Sequence, residues 1–278
     1  MAGQERRRLD AELVRRGLAR SREQAGELIA AGRVSIGGRV AAKAATQVET
    51  SAPVVVAPNG DGGGEAGPDY VSRGGHKLAG ALAAFTPDGL VVAGRRCLDA
   101  GASTGGFTDV LLRAGARQVV AVDVGYGQLA WSLRTDERVV VVDRTNARSL
   151  ALDMIGGDPA ELVVGDLSFI SLALVLPALI GCAVPEADFV LMVKPQFEVG
   201  RERLGSGGVV REPALRAEAV RGVAASALGL GLGVRGVAAS PLPGPRGNVE
   251  YFLWLRAGAP PLDPAQLDRA VAQGPGNG

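Results

Sequence analysis

Arg96-Cys97-Leu98-Asp99-Ala100 runs directly into Gly101-Ala102-Ser103-Thr104-Gly105-Gly106: a short apolar strand, a glycine-rich turn, then a segment able to form a helix through Leu112. Working outward, the pattern of an apolar strand ending in a polar group recurs. It is found in Gln118-Val119-Val120-Ala121-Val122-Asp123, in Val139-Val140-Val141-Val142-Asp143 and in Leu162-Val163-Val164-Gly165-Asp166. Phe189-Val190-Leu191-Met192-Val193 then leads to Lys194-Pro195. Nearly continuous apolar strands, separated by segments long enough for helices, predict an α/β domain on a largely parallel buried sheet. Chemical groups gathered just past the strands' carboxyl ends lie on the side where such sheets bind ligands.

The turn after the first strand lets backbone come close to a ligand, and Asp123 falls near the offset expected of a ribose-holding carboxylate. Taken alone, this suits a nicotinamide or flavin enzyme equally well. Ser103, however, occupies the middle glycine position of the dinucleotide fingerprint, and the Gly-Lys-Ser/Thr ending of a P-loop is missing.

Charge is segregated along the chain. The whole carries a formal net charge of +1, yet residues 1–48 are rich in Arg and Lys while the remainder is mildly acidic. A basic front end on an acidic body fits a polyanion partner or a merely solvated surface. Leu9, Leu13, Val14 and Leu18 repeat at helical spacing up to Gly17. Ser21 begins a second helix with Gln24 at the capping-box position, and Gly32 can stop it in a left-handed conformation. Arg33 to Ile36, the turn Gly37-Gly38 and Arg39-Val40 form a hairpin, and 52–57 can finish a small sheet. Arg15, Arg16, Arg20, Arg22, Arg33, Arg39 and Lys43 are the candidate phosphate contacts. Pro58 to Pro68, with Gly62-Gly63-Gly64 at its centre, has the composition of a flexible tether.

With 47% apolar but only 4% aromatic residues, a core must come from Ala, Leu and Val. Cys97 and Cys182 form neither a disulfide framework nor a metal site, and no metal ligand set is expected. The apolar stretch at 172–184 is too short to span a membrane. No signal peptide is evident, so cytoplasmic residence is the expectation.

Ordered motifs then bring a resemblance. Arg8-Leu9-Asp10, Ser21 to Ala25 and Leu28 to Val34 resemble the RNA-binding domain first known from small-subunit ribosomal protein S4. Asp99 to Asp109 resembles the cofactor loop of the TlyA subfamily of FtsJ-like methyltransferases. Tyr70-Val71-Ser72-Arg73-Gly74-Gly75-His76-Lys77-Leu78, Val164 to Ile170, Lys194-Pro195-Gln196-Phe197-Glu198 and Gly247-Asn248-Val249-Glu250-Tyr251 are similar as well. The expected organisation is a small α+β RNA-binding domain at 1–57 and a linker at 58–69. A Rossmann-like class I methyltransferase sheet follows at 70–257, then a tail at 258–278.

The resemblance implies S-adenosyl-L-methionine as methyl donor. It implies the 2′-hydroxyl of cytidine in ribosomal RNA as acceptor, with one or both ribosomal subunits as partners. It places a catalytic tetrad at Lys77, Asp166, Lys194 and Glu250. Asp99, Gly101, Ala102, Ser103, Gly105, Gly106, Phe107, Asp123 and Asp143 are the candidate cofactor contacts, and Arg73 joins the RNA contacts. A ribose hydroxyl is a poor nucleophile while protonated, so Lys194 is the preferred group to take or direct its proton. A free lysine, near pKa 10.4, is protonated at neutral pH. A cationic donor and Lys77 would lower its proton affinity, whereas Asp166 and Glu250 would raise it and orient the amine. The bland alternative is two ion pairs, Lys77–Glu250 and Lys194–Asp166. Phe169 and Phe197 suit base positioning or core burial, and Arg144 and Asn146 suit substrate binding or a local cap. His76 is read as local structure or an RNA contact. The competing whole-chain readings are an RNA-binding assembly factor without catalysis and, on the historical label of similar proteins, a membrane-active haemolysin.

Overall fold

The computed structural model describes residues 6–19, 21–30, 32–50, 52–56 and 69–275; Arg20 and the tether at 58–68 lie outside them. The chain divides into two compact units, Met1–Asp69 and Tyr70–Gly278.

In the first unit β1 (Arg6–Arg8), α1 (Leu9–Arg15), α2 (Arg22–Ala30), β2 (Val34–Ile36), β3 (Arg39–Val40), β4 (Gln47–Glu49) and β5 (Val54–Val56) follow in order. Gly17 at φ +70° ends the first helix, and Ser21 Oγ accepts the Gln24 N–H at 3.1 Å to start the second. Gly37 and Gly38 both take positive φ, which allows the tight β2–β3 turn. β5 closes a three-stranded sheet on the other side of β2. Leu9, Leu13, Ala25, Ile29, Val34 and Val48 fill the small core. The β1–β4 ribbon has no counterpart in the sequence reading, because Arg6-Arg7-Arg8 carries no alternating apolar face.

The second unit opens with α3 (Gly74–Phe85), β6 (Arg96–Ala100), α4 (Gly106–Arg113), β7 (Gln118–Val122), α5 (Trp131–Arg134), β8 (Val139–Val142) and β9 (Ala160–Gly165). It continues with α6 (Leu176–Gly181), β10 (Ala183–Val193), α7 (Pro195–Glu198), α8 (Pro213–Gly229), β11 (Leu232–Ala239), β12 (Tyr251–Ala257) and α9 (Pro264–Ala272). Among the described residues its sheet has seven strands in the order β11-β12-β10-β9-β6-β7-β8. The run from β10 to β8 is parallel, and β12 is antiparallel to both its neighbours. The largely parallel α/β expectation therefore holds. Because the chain leaves β6 toward β7 on one side and returns to β9 on the other, the switch point lies between β6 and β9. That opens a crevice at their carboxyl ends.

Pro177 stands in the first turn of α6, where its missing N–H has no partner to lose. The expected tail is a correction: Asp263 caps α9, whose Leu267, Ala270 and Val271 are buried in the same core as β12 and α8.

Candidate active site at the carboxyl edge of the sheet

Each group in the crevice is placed by a strand end. Lys194 follows β10, and Pro195 stops that strand and starts α7. Asp166 follows the adjacent parallel β9, and Glu250 immediately precedes β12, in which Tyr251 pairs with Val193. Lys77 comes from α3, the helix that buries Leu78, Ala81, Leu82 and Phe85.

The structure joins these four as two tight pairs. Lys77 Nζ donates to Glu250 Oε2 at 2.6 Å, with Glu250 fully buried. Lys194 Nζ lies 2.6 Å from Asp166 Oδ1 and donates to Ser168 Oγ at 2.8 Å. An ammonium has three hydrogens, so Lys194 keeps one direction for a ligand. It opens on a cavity of about 420 Å³ lined by Ser168, Phe169, Gln196, Phe197, Arg246 and Asn248, among others. The Phe169 ring is 90% exposed and lies 5.1 Å from that of Phe197. Of the two readings for Phe169, core burial is thereby removed.

The motif at 70–78 acts through packing. Tyr70 meets His76 edge-on at 5.1 Å and lies under the Arg113 guanidinium. The Val71 N–H donates to Asp109 Oδ2, and a Cβ at Gly75 would come within 2.5 Å of Tyr70. His76 thus has a local structural contact. Arg73 is exposed and donates to the Pro243 carbonyl at 3.0 Å. Glu198 of the Lys-Pro-Gln-Phe-Glu run accepts from Ser171 Oγ and the Leu172 N–H, fixing α7 to the segment after β9. Burial raises its carboxyl above the ordinary range, against those two bonds.

Across the crevice, Gly101 has φ +86°, and a Cβ there would stand 2.9 Å from the Asp166 carbonyl oxygen. Ser103 is held at φ +48°, its N–H donating to Asp123 Oδ2 at 2.8 Å. The other Asp123 oxygen takes the Gly125 N–H, so this carboxylate fastens two loops together. Gly105, at φ +99°, packs against Leu129 and Leu133. Ala102 is buried beside them, and Asp143 accepts from the Gly127 N–H and Arg134. Asn146 accepts the Arg148 N–H, the local-cap reading, while Arg144 lies 4.3 Å over the Tyr126 ring.

Three expected cofactor contacts face elsewhere. Asp99 is fully buried behind the loop, where it accepts from Thr108 Oγ1 at 2.6 Å. Burial pushes its carboxyl up to about 7. Phe107 packs on Phe252 in the core, and Gly106 is pressed against Ser72. The pleat of β6 turns Asp99 inward and the inner face of α4 buries Phe107, so neither side chain meets a ligand in the crevice.

Of the carboxylates at the ends of β9, β7 and β8, Asp166 and Asp143 are paired with Lys194 and Arg134, and Asp123 stands where a carboxylate can hold the hydroxyls of a ligand ribose. The FtsJ-like methyltransferase family profile matches residues 70–257, and an S4 domain profile matches 7–54. A 16S/23S rRNA (cytidine-2′-O)-methyltransferase TlyA from Mycobacterium tuberculosis is 60% identical, over 97% of this chain and 99% of that protein. The chain belongs to the TlyA family of FtsJ-like methyltransferases. Hemolysin A of Brachyspira hyodysenteriae is 35% identical over 88% of this chain and 98% of its own length. A solved structure of a hemolysin-named protein from Streptococcus thermophilus superposes with a TM-score of 0.76. It is 37% identical and covers 98% of this chain and 96% of its own. Among the described residues, no helix of this TlyA-family chain is long and apolar enough to cross a membrane.

In the S4 unit the candidate RNA contacts divide. Arg15 and Arg16 both pair with the buried Glu12, and Arg16 also donates to the carbonyls of Thr50 and Ala52. Arg22 pairs with Asp10, which the Arg8 and Arg22 guanidiniums hold well below the usual carboxylate range. Arg33 is half-buried, whereas Arg39 and Lys43 are exposed. Sequence reasoning missed Arg6, Arg7 and Arg8, exposed along β1. Their signal was the unbroken run of three arginines.

Proposed function

We propose that this chain transfers a methyl group from S-adenosyl-L-methionine to the 2′-hydroxyl of cytidine in ribosomal RNA, in the cytoplasm, with the S4 unit gripping the RNA. The observation that carries this reading is the Lys194 amine, held by Asp166 and Ser168 and facing an open, aromatic-rimmed cavity, with the Gly101 backbone close against Asp166. Bound S-adenosyl-L-methionine supplies an electrophilic methyl group. The Gly101–Gly105 backbone with Asp123 and Asp143 would hold it, as their carboxylates accept from hydroxyl and amino groups.

Lys194 Nζ meets the acceptor hydroxyl: as the neutral amine it takes the hydroxyl proton and becomes the ammonium that Asp166 and Ser168 hold. Asp166 and Ser168 fix the direction of the amine, so the oxygen is held in line for attack and positioning carries much of the rate. Lys77–Glu250 is a buried pair at the start of β12, the strand that runs beside β10. Ribosomal subunits as substrates, rather than free RNA, and the unit boundaries near 57 and 69 belong to the same proposal.

The test is incubation of the full chain with labelled methyl donor and unmodified subunits of both sizes, then nucleoside digestion and mass analysis. Label on the cytidine ribose supports the reading. Label on bases only, or RNA binding without transfer, overturns it, the second outcome favouring an assembly factor.

A further inference from the structure

One wall of the Lys194 cavity joins two segments about forty residues apart: Leu204 and Gly208 come from one, Arg246 and Asn248 from the other. Three bonds hold the two segments together. Asn248 Oδ1 accepts the Val210 N–H at 3.0 Å, and Asn248 Nδ2 donates to the Gly208 carbonyl at 3.2 Å. Arg246 Nη1 donates to the Gly207 carbonyl at 2.9 Å.

Asn248 is 3% exposed. One end of its amide accepts and the other donates, so only one orientation satisfies both partners. Its own carbonyl takes the Gly244 N–H at 2.7 Å, which closes the turn it stands on. Gly207 and Gly208 both have positive φ, a backbone path with few side-chain contacts to hold it. Two residues beyond Asn248, Glu250 receives the Lys77 ammonium.

We propose that Asn248 is a positioning residue, holding the 205–210 segment as the acceptor-side wall of the cavity and registering it to the Lys77–Glu250 pair. The role rests on the methyl-transfer reading above. Asn248 commits its side-chain amide to two backbone groups of that segment. It acts by keeping the wall where an acceptor nucleoside must lie against Lys194, and a displacement near 1 Å can cost about 100-fold in rate.

The experiment uses full-length Asn248→Ala and Asn248→Asp. The aspartate keeps an oxygen for Val210 but opposes the Gly208 carbonyl, so it isolates the donor half and preserves volume if the alanine variant fails to fold. Single-turnover transfer at saturating RNA and donor should fall roughly 10- to 100-fold, with donor affinity within about 3-fold of wild type. Amide exchange at 205–210 should quicken in both variants. Wild-type transfer rates, or a rate loss that only tracks lost donor affinity, would overturn the proposal. If wild type itself moves no methyl to RNA, the functional reading fails separately. Amide exchange then still decides whether Asn248 holds the wall, and unchanged protection at Val210 would sink it.

Discussion

Arg15–Glu12 and Lys77–Glu250 are ion pairs of the same length, 2.6 Å, each with a fully buried carboxylate. They differ in the cation: the arginine side chain is 47% exposed and the lysine 9%. The Arg15 guanidinium can turn to a phosphate because Arg16 stays on Glu12, so that buried carboxylate keeps a cation. A buried ammonium cannot, because its partner would be left charged in a poor solvent. The S4 unit thus keeps its cations exchangeable, as a polyanion grip requires. The sheet edge fixes its cations, as a reaction at one oxygen requires.

The sharpest break of this comparison is Lys194→Ala. Removing an amine aimed at the cavity should lower methyl transfer by roughly 10²–10⁴-fold while donor affinity stays near wild type. Quantifying transfer to subunits beside donor titration would settle it. Near-normal transfer by a folded, donor-binding variant would take Lys194 out of the chemistry.

Next in size is Lys77→Met, which leaves Glu250 buried without its cation. Unfolding free energy should drop by about 3–5 kcal/mol, and Lys77→Met/Glu250→Leu should regain much of that loss. Denaturant titrations of the three proteins measure it. Equal stability of single and double variants would mean that the pair is not held out of water as the fold implies.

The fixed half was the more legible in sequence. Period and punctuation located the strand ends, and the family resemblance picked out Lys77, Asp166, Lys194 and Glu250 among the residues near them. What escaped was carried by residues with weak local signal. α8 is so rich in alanine that its buried and exposed faces differ little in hydropathy, and β11 is interrupted by Gly233 and Gly236. The wall formed by Leu204, Gly208, Arg246 and Asn248 depends on bonds spanning 38 to 40 residues, which no window of sequence contains. Asp99 was misplaced for a related reason. Its proximity to the glycine loop was visible, but the direction of its side chain was set by the strand's pleat.

That direction has a pH consequence. Burial displaces the Asp99 carboxyl to about 7, with nearby Asp166 and Asp123 adding to the rise and Thr108 opposing it. Unfolded, it titrates near 3.9. Between about pH 4 and pH 7 the unfolded chain has lost this proton while the folded chain retains it, so stability falls as pH rises through that window and levels above it. Asp99→Asn keeps an oxygen for Thr108 and cannot ionise. It should flatten the fall, a difference on the order of 2–3 kcal/mol between pH 5 and pH 8. Parallel urea midpoints for wild type and variant across that range would refute the assignment.

The smallest effect separates two arginines of the S4 unit. Arg39 is exposed on the β2–β3 hairpin, whereas Arg16 is committed to Glu12 and to the carbonyls of Thr50 and Ala52. If Arg39 neutralises a phosphate, Arg39→Ala weakens RNA binding a few-fold and makes the slope of log affinity against log salt shallower by about 1. Its unfolding midpoint should stay unchanged. Arg16→Ala should do the reverse, lowering the midpoint because the Thr50 and Ala52 carbonyls lose their donor and buried Glu12 keeps only one of its two arginines, and leaving the salt slope near wild type. Binding isotherms at four salt concentrations, paired with thermal melts, resolve both axes for each variant. A changed salt slope in Arg16→Ala with no loss of stability would show that even the most internally bonded arginine of this unit is exchangeable. The line between grip and scaffold would then have to be drawn by exposure at the moment of RNA contact, not by the bonds of the free protein.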